Sequence, residues 1–161
     1  MPARTITLCS LLAVLIFASS CASSFSSKIT PGFTIKDYRT FYVENHAADK
    51  RQLDIMIRDE MNRLGLAATA GPASDRPTSV DAVVTYEDRW MWDITMYMLS
   101  LQINVRDASN EILIATGKTA YTSLNRESPD YMAREILTAI FRGKRPTGNE
   151  PSAQTNDQAS Q

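Results

Sequence analysis

The chain has 161 residues, with 17 lysines and arginines, 18 aspartates and glutamates, and a formal net charge of −1. This is the length of one domain, and a charge so close to zero gives no electrostatic basis for binding nucleic acid or an anionic membrane surface. One histidine and two cysteines are too few for the usual zinc-ligand spacings. We therefore expect no metal, no cofactor and no nucleic-acid partner.

The first 20 residues have the pattern of a secretory signal peptide. Arg4 is their one charged side chain, and an apolar run follows over residues 8–18, LCSLLAVLIFA. This run is shorter than the ~20 residues that a membrane-spanning helix needs. Because small residues follow it, we predict a cleaved signal peptide over residues 1–20.

The four residues Ala18-Ser19-Ser20-Cys21 resemble the lipobox of bacterial lipoproteins, with Ala where that family usually has Leu. The resemblance implies a diacylglyceryl thioether on Cys21, cleavage before it and acylation of the new amino group. By the family's sorting tendency, Ala22 implies the outer membrane. Cys9 would leave with the signal peptide, so no intrachain disulfide is expected. The alternative is an ordinary secreted protein with a free cysteine.

Composition divides the remaining chain into three parts. The serine-rich residues 22–30, ASSFSSKIT, indicate a flexible tether, and we assign residues 21–37 to the lipidated cysteine and this tether. Residues 38–143 are predicted to form an α+β domain. Residues 144–161 contain no aromatic or branched aliphatic side chain, so they cannot form a core and are predicted to be a disordered tail.

Hydrophobic periodicity predicts three consecutive strands framed by one earlier strand and two helices. The predicted elements are a strand at 39–45, a helix from about 49 that ends before Gly65, strands at 80–92, 96–106 and 111–123, and a helix capped by Ser128 and ended by Gly143. Residues 66–79, rich in Pro, Gly, Ser and Ala, are predicted to be disordered. The order β-α-β-β-β-α favours a two-layer sandwich with a mostly antiparallel sheet and both helices on one face.

The most unusual stretch, residues 86–97, has the pattern Y-x-D-x-W-x-W-D-x-x-x-Y and contains both tryptophans. It is similar to a stretch in small bacterial envelope lipoproteins, a resemblance that implies no activity and no catalytic residues. By strand parity Asp88 points inward and needs a hydrogen-bonded or charged partner. The aromatic residues either form core at a fixed strand end or line a ligand or partner pocket, with Trp90, Trp92 and Tyr97 as its walls.

The sheet face away from the helices is a second candidate surface. Strand parity predicts that it carries Met91, Met96 and Met98, with Ile112 and Ile114, among the polar residues Ser100, Gln102 and Lys118. Methionine adapts to varied surfaces and is frequent at binding sites. The alternative is an ordinary solvent face with scattered methionines.

No pattern in the chain indicates catalysis. There is no G-x-S-x-G elbow, P-loop or dinucleotide fingerprint. His46 is expected in a loop, and Asp59 and Glu60 are expected to be solvated.

The sequence therefore predicts a lipid-anchored, periplasm-facing envelope protein that acts as a non-catalytic interaction module. The alternative is a domain that binds a small ligand or lipid between helices and sheet. The candidate contact residues are Asp88, Trp90, Trp92, Met96, Tyr97 and Met98.

Overall fold

The computed structural model describes residues 23–146. The predicted signal peptide of residues 1–20, the predicted lipidation site Cys21 and residues 147–161 of the predicted tail lie outside the described residues. Within the described range the fold is α+β, with two α-helices and a six-stranded, mostly antiparallel sheet, as predicted. No helix in this range is long and apolar enough to cross a bilayer.

The helices and strands follow one another in the order β-β-α-β-β-β-β-α. Their bounds are β1 Ser24–Ile29, β2 Thr40–Glu44, α1 Leu53–Arg63, β3 Ala67–Gly71, β4 Ala82–Asp93, β5 Thr95–Asp107, β6 Leu113–Ala120 and α2 Pro129–Arg142. Every predicted strand and helix is present, and β1 and β3 are additional. The predicted caps of α2 are confirmed: the Ser128 side chain accepts from the Tyr131 N–H, and Gly143 adopts the left-handed conformation.

The sheet has the strand order β1-β6-β5-β4-β2-β3. β2 lies parallel to both β3 and β4, and the other neighbouring pairs are antiparallel. Because parallel neighbours need a crossover connection, α1 links β2 to β3. β4 and β5 form the longest pair, from Ala82↔Asp107 to Asp93↔Thr95.

Alternate residues of the central strands and the apolar stripes of both helices form one core cluster. Leu53, Ile57 and Met61 of α1 are buried there, as the spacing of three and four predicted. The sheet approaches α2 closely at Gly117 of β6, since a Cβ at that position would lie 2.5 Å from Cγ2 of Ile136. A side chain on residue 117 would therefore require the Ile136 side chain to shift.

Two buried carboxylates connect elements across the core. Glu135 of α2 is 0% exposed. It accepts hydrogen bonds from the Thr119 hydroxyl at 2.6 Å and the Tyr121 hydroxyl at 3.1 Å, and it pairs with Arg145. Burial, together with the nearby Glu135 charge, raises the pKa of Tyr121 to about 12.

The second buried carboxylate is Glu60 of α1, which pairs with Arg63 and with Arg134 of α2. The prediction that Glu60 is solvated is wrong, because Glu60 forms the ionic contact between the two helices. A charge at this depth is stable only while it is paired.

The predicted flexible tether is wrong over residues 24–37. Residues 24–29 form β1, an edge strand whose register runs from Ser24↔Ala120 to Ile29↔Ala115 on β6. The Thr30 hydroxyl donates to the Leu113 carbonyl at 2.7 Å, and Ile35 is buried in the core. A polar edge strand is held mainly by backbone hydrogen bonds, so its serine-rich sequence lacks the hydrophobic pattern of a strand.

The predicted disorder of residues 66–79 is also wrong. Residues 67–71 form β3, and the Asn62 side chain of α1 makes two hydrogen bonds with the Ala68 backbone, at 3.0 and 3.1 Å. The following segment is fixed by Arg76, which pairs with Glu44 at 3.3 Å and Glu111 at 3.0 Å. Small residues form a strand here because β2 and α1 provide the hydrogen-bond partners for its backbone.

We predict that Glu135→Ala lowers the free energy of unfolding by about 3 kcal/mol, because it leaves the Arg145 charge and two hydroxyls without their buried acceptor. Urea denaturation followed by circular dichroism measures this change. The matched control is Glu87→Ala, which removes an exposed carboxylate of β4 and should change stability by less than about 0.5 kcal/mol. Equal effects of the two substitutions would contradict the role assigned to Glu135.

A candidate interaction site at the end of the β4–β5 hairpin

The β4–β5 hairpin is longer than the strands on either side of it. β2 pairs with β4 only from Phe41↔Ala82 to Val43↔Val84, and β6 pairs with β5 no further toward the turn than Ser100↔Ala120. Residues 90–99 therefore have no strand beside them in the described structure. We call this two-stranded projection, residues 90–99, the hairpin arm.

Four large apolar side chains are exposed on the arm. Met91 is 45% exposed, Trp92 68%, Ile94 85% and Met96 49%. Trp92 and Met96 are directly opposite one another in the pairing, so their side chains share one face. Met91 lies on the opposite face and Ile94 at the turn, so both faces and the tip of the arm carry exposed apolar side chains. Clusters of exposed apolar side chains are uncommon on monomeric proteins and mark candidate sites of association.

Ile94 forms the turn of the arm with a φ of 60°. A β-branched residue is disfavoured in this left-handed region, where Gly, Asn and Asp are the common residues. Ile94 thus combines backbone strain with almost complete exposure of an apolar side chain. Such a residue does not stabilise the isolated fold, so the turn is a candidate contact point.

Arg126 fastens the arm to the loop that follows β6. Its guanidinium donates to the Asp93 carbonyl at 2.9 Å, the Thr95 hydroxyl at 2.8 Å and the Ser123 carbonyl at 2.9 Å. It also lies 4.3 Å from the centre of the Tyr97 ring. These contacts neutralise the carboxylate of Asp93 at the turn and cover Tyr97, which is largely buried.

A β-bulge changes the predicted orientation of the arm's side chains. Arg89 pairs with Ser100, but Trp90 pairs with Met98, so Leu99 has no opposite residue on β4. The predictions for Met96 and Met98 on the open face are therefore wrong. Met98 is 1% exposed and belongs to the core, and Met96 shares the face of Trp92. Ile114, also predicted on the open face, is buried in the core.

The predicted pocket with Trp90, Trp92 and Tyr97 as walls is not formed. Tyr97 pairs with Met91 and so lies on the other face of the arm from Trp92. Trp90 is half-buried against the core, with the Arg51 guanidinium 4.2 Å from its ring centre.

Asp88 is opposite Leu101, on the face that parity predicts, but its side chain is exposed. At this level β4 has no neighbouring strand on its other side within the described residues, because β2 pairs with it only as far as Val84. Its hydrogen-bond partner is the Trp90 indole N–H, at 2.6 Å. Asp88 therefore orients Trp90 at the base of the arm.

The open face of the sheet beside the arm is polar. Gln102 is paired with Glu87 on one side and Lys118 on the other, and Arg89 and Ser100 complete a shallow depression of about 250 Å³. Of the apolar residues predicted on the open face, Met91 lies there, and Ile112 is exposed just before β6.

A second cleft, of about 360 Å³, lies at the end of the sheet away from the arm. The ends of both helices border it, and its apolar lining includes Ile35, Leu64 and Phe141, with Lys36 and Arg39 at its margin. It is open to solvent and lies beside the packed core.

Residues 23–146 hold no group of three His, Cys, Asp or Glu side chains that could bind a metal ion. His46 lies in the loop after β2, as predicted, and its Nδ1 accepts from the Ala48 N–H at 3.2 Å. Asp49, in the same loop, accepts from the Tyr86 hydroxyl and the Leu53 N–H, so it fixes the start of α1.

Sequence reasoning missed two residues of this site, Ile94 and Arg126. Ile94 did carry a signal, since an apolar β-branched residue stands between Asp93 and Thr95 in the gap between two predicted strands. Arg126 carried none, because a single arginine in a polar loop does not reveal its partners.

The comparisons with known proteins identify similar folds. No family model and no curated protein matches the chain. A point variant of the PelC dodecamer from Paraburkholderia phytofirmans, in space group C2, is similar with a TM-score of 0.56 and 13% identity, covering 74% of this chain and 98% of that one. The PelC dodecamer from the same organism in space group P6 has a TM-score of 0.55, 10% identity and the same coverage. At this level of identity the similarity shows the fold alone.

We predict that Ile94→Gly raises the free energy of unfolding by about 0.5–1 kcal/mol, because glycine adopts a positive φ without strain. The midpoint of urea denaturation measures the change. Ile112→Gly is the matched control, since Ile112 is an exposed isoleucine that is not among the residues of positive φ. It should leave stability unchanged or lower it. A loss of stability in Ile94→Gly would argue against strain at the turn.

Proposed function

We propose that this chain is a lipid-anchored protein of the bacterial envelope, held through Cys21 and facing the periplasm, and that it acts by binding rather than by catalysis. The outer membrane is the proposed location. The observation that carries the binding role is the hairpin arm, with its four exposed apolar side chains and its strained apolar turn.

The anchor is supported by the lipobox-like residues 18–21 and by how closely the folded domain follows them. β1 begins at Ser24, three residues after Cys21, so the domain lies close to its lipid. The short connection restricts how the domain can orient on the membrane.

The alternative, a ligand bound between helices and sheet, requires a cavity there. The core residues at that position, among them Ile57, Ile103 and Ile136, are fully buried in one packed cluster. A small ligand would instead have to use the open cleft at the helix ends. The exposed arm favours the interaction module, because its apolar side chains face solvent and do not line a cavity between helices and sheet.

In-cell photo-crosslinking from position 94 of the full chain tests this proposal, with Glu87 and Lys50 as control positions. We expect adducts with protein or lipid from position 94 and few from the controls, because the arm presents apolar surface whereas the two control positions are polar. We also expect the wild-type chain in the membrane fraction and Cys21→Ser in the soluble fraction.

The two parts of the proposal are refuted separately. Labelling from position 94 no stronger than from the two controls would refute the arm as the preferred contact site. A Cys21→Ser chain that stays with membranes would show that the lipid is not the anchor.

Self-association is a second candidate, favoured by the free edges of the sheet. β1 and β3 end the sheet, and within residues 23–146 neither has a second strand partner. The pairing directions make β1 antiparallel to β3, so β1 of one copy could extend the sheet at β3 of the next. Such head-to-tail contacts close into rings or form filaments, and the two similar PelC structures are dodecamers.

Native mass spectrometry of the detergent-solubilised chain measures its oligomeric state. We expect one discrete oligomer, which Thr69→Lys should dissociate because an edge lysine opposes strand pairing. Ile94→Lys adds the same charge at the arm and is the matched control, which should leave the oligomer intact. A monomeric wild-type chain would contradict self-association.

A further inference from the structure

The hairpin arm and the start of β1 lie at the same end of the sheet. Ser24 pairs with Ala120 of β6, and Ala120 pairs with Ser100 of β5, where the arm begins. β1 runs antiparallel to β6, so β1 begins at the end of the sheet from which the arm projects. Cys21 is therefore tied to the arm's end of the domain.

The arm and the anchor have similar reach. At about 3.3 Å per residue, and allowing for the bulge, Ile94 lies about 17 Å beyond the level of Ser100. Covalent geometry allows Cys21 to extend at most about 10 Å from Ser24, and its lipid would extend further. An acylated Cys21 and the turn of the arm can therefore meet one membrane surface together.

The chemistry of the arm suits the boundary between lipid headgroups and acyl chains. Trp92 carries a large apolar ring with one polar N–H, a combination favoured at that boundary. Met96 adds apolar surface on the same face as Trp92, Ile94 adds it at the turn and Met91 on the opposite face. Arg126 pairs with the carboxylate of Asp93.

The same structure limits the depth of insertion. The two edges of the arm have no neighbouring strand among the described residues, and unpaired backbone groups are not tolerated in the hydrocarbon core. At the level of the headgroups water can satisfy them. Contact is therefore confined to the interface, and the arm does not span the bilayer.

We propose that the arm inserts its turn, with Trp92 and Ile94, into the interface of the membrane that holds the Cys21 lipid. This inference rests on the proposed lipid anchor. Two attachments at one end of the sheet fix the orientation of the domain, which a lipid on a flexible chain would leave free. The cleft at the helix ends then faces away from the membrane.

The two tryptophans provide a direct test. The lipidated full chain is reconstituted into phosphatidylethanolamine/phosphatidylglycerol vesicles, with or without brominated acyl chains, which quench nearby tryptophan. Trp90→Phe leaves Trp92 as the sole reporter, and Trp92→Phe leaves Trp90, which is half-buried under Arg51. We expect bromolipid to reduce Trp92 fluorescence about twofold and to change Trp90 fluorescence little.

A third variant tests the contribution of the turn. Ile94→Lys in the Trp90→Phe background should abolish the quenching of Trp92, because it places a charge at the proposed point of insertion. If Trp90→Phe does not fold, the difference between wild type and Trp92→Phe gives the Trp92 signal.

These outcomes distinguish failure of the proposed membrane insertion from failure of the proposed lipid anchor on which it rests. The intact mass of the purified chain reports lipidation independently of quenching. If the chain is lipidated but its Trp92 is not quenched, the membrane-insertion proposal is overturned. If Trp92 fluorescence is blue-shifted in an oligomer, and Ile94→Lys dissociates that oligomer, the arm instead contacts a second copy of the chain. A chain without lipid overturns the anchor; quenching of its Trp92 would still support contact between arm and membrane, and no quenching would refute both.

Discussion

The long antiparallel pairing of β4 with β5 is the interaction on which the rest of the structure depends. Near Ala82 and Val105 this pair forms the centre of the sheet, with a strand on either side and helices against its buried residues. Past Ser100 both neighbours have ended and the pair continues alone. The same two strands thus supply the inner part of the core and an exposed arm, so the arm continues directly from core strands.

The bulge at Leu99 separates these two roles. Side chains alternate with a period of two along a strand, so one unpaired residue moves every following side chain to the other face. Without it Met98 would face the open side and Leu99 the core. With it Met98 joins the core, and Trp92 and Met96 share a face of the arm.

Ionic contacts attach the edge strand β1 and the end of the arm to the rest of the domain. Glu135 joins α2 to β6 and Arg145, and the Arg145 guanidinium also lies 4.8 Å from the Phe25 ring centre of β1. The serine-rich edge strand, which begins three residues after Cys21, is thereby fixed to α2. Arg126 holds the arm in a comparable way at the same end of the sheet. The proposed anchor and the proposed interfacial contact both depend on these arginine contacts for their relative position.

The sequence by itself determined the elements whose side chains carry a pattern. The stripe of Leu53, Ile57 and Met61, the caps of α2 and the alternation in β4 and β5 report burial directly, so helices, central strands and the α+β class could all be predicted. The lipobox-like residues before Cys21 are a linear signal, and they led to the proposed anchor. Trp92 and Met96 were also singled out from the sequence.

Only the tertiary structure decided the edge strands, the bulge and the partners of single charged residues. β1 and β3 are held by backbone hydrogen bonds to neighbours distant in the chain, and such bonds leave no trace in side-chain composition. The shift at Leu99 depends on how two strands pair, and the position of Arg126 depends on how a loop folds back to Asp93. The physical reason is the same throughout: local periodicity records which side chains are buried, whereas register and long-range polar contacts depend on residues that meet only after folding.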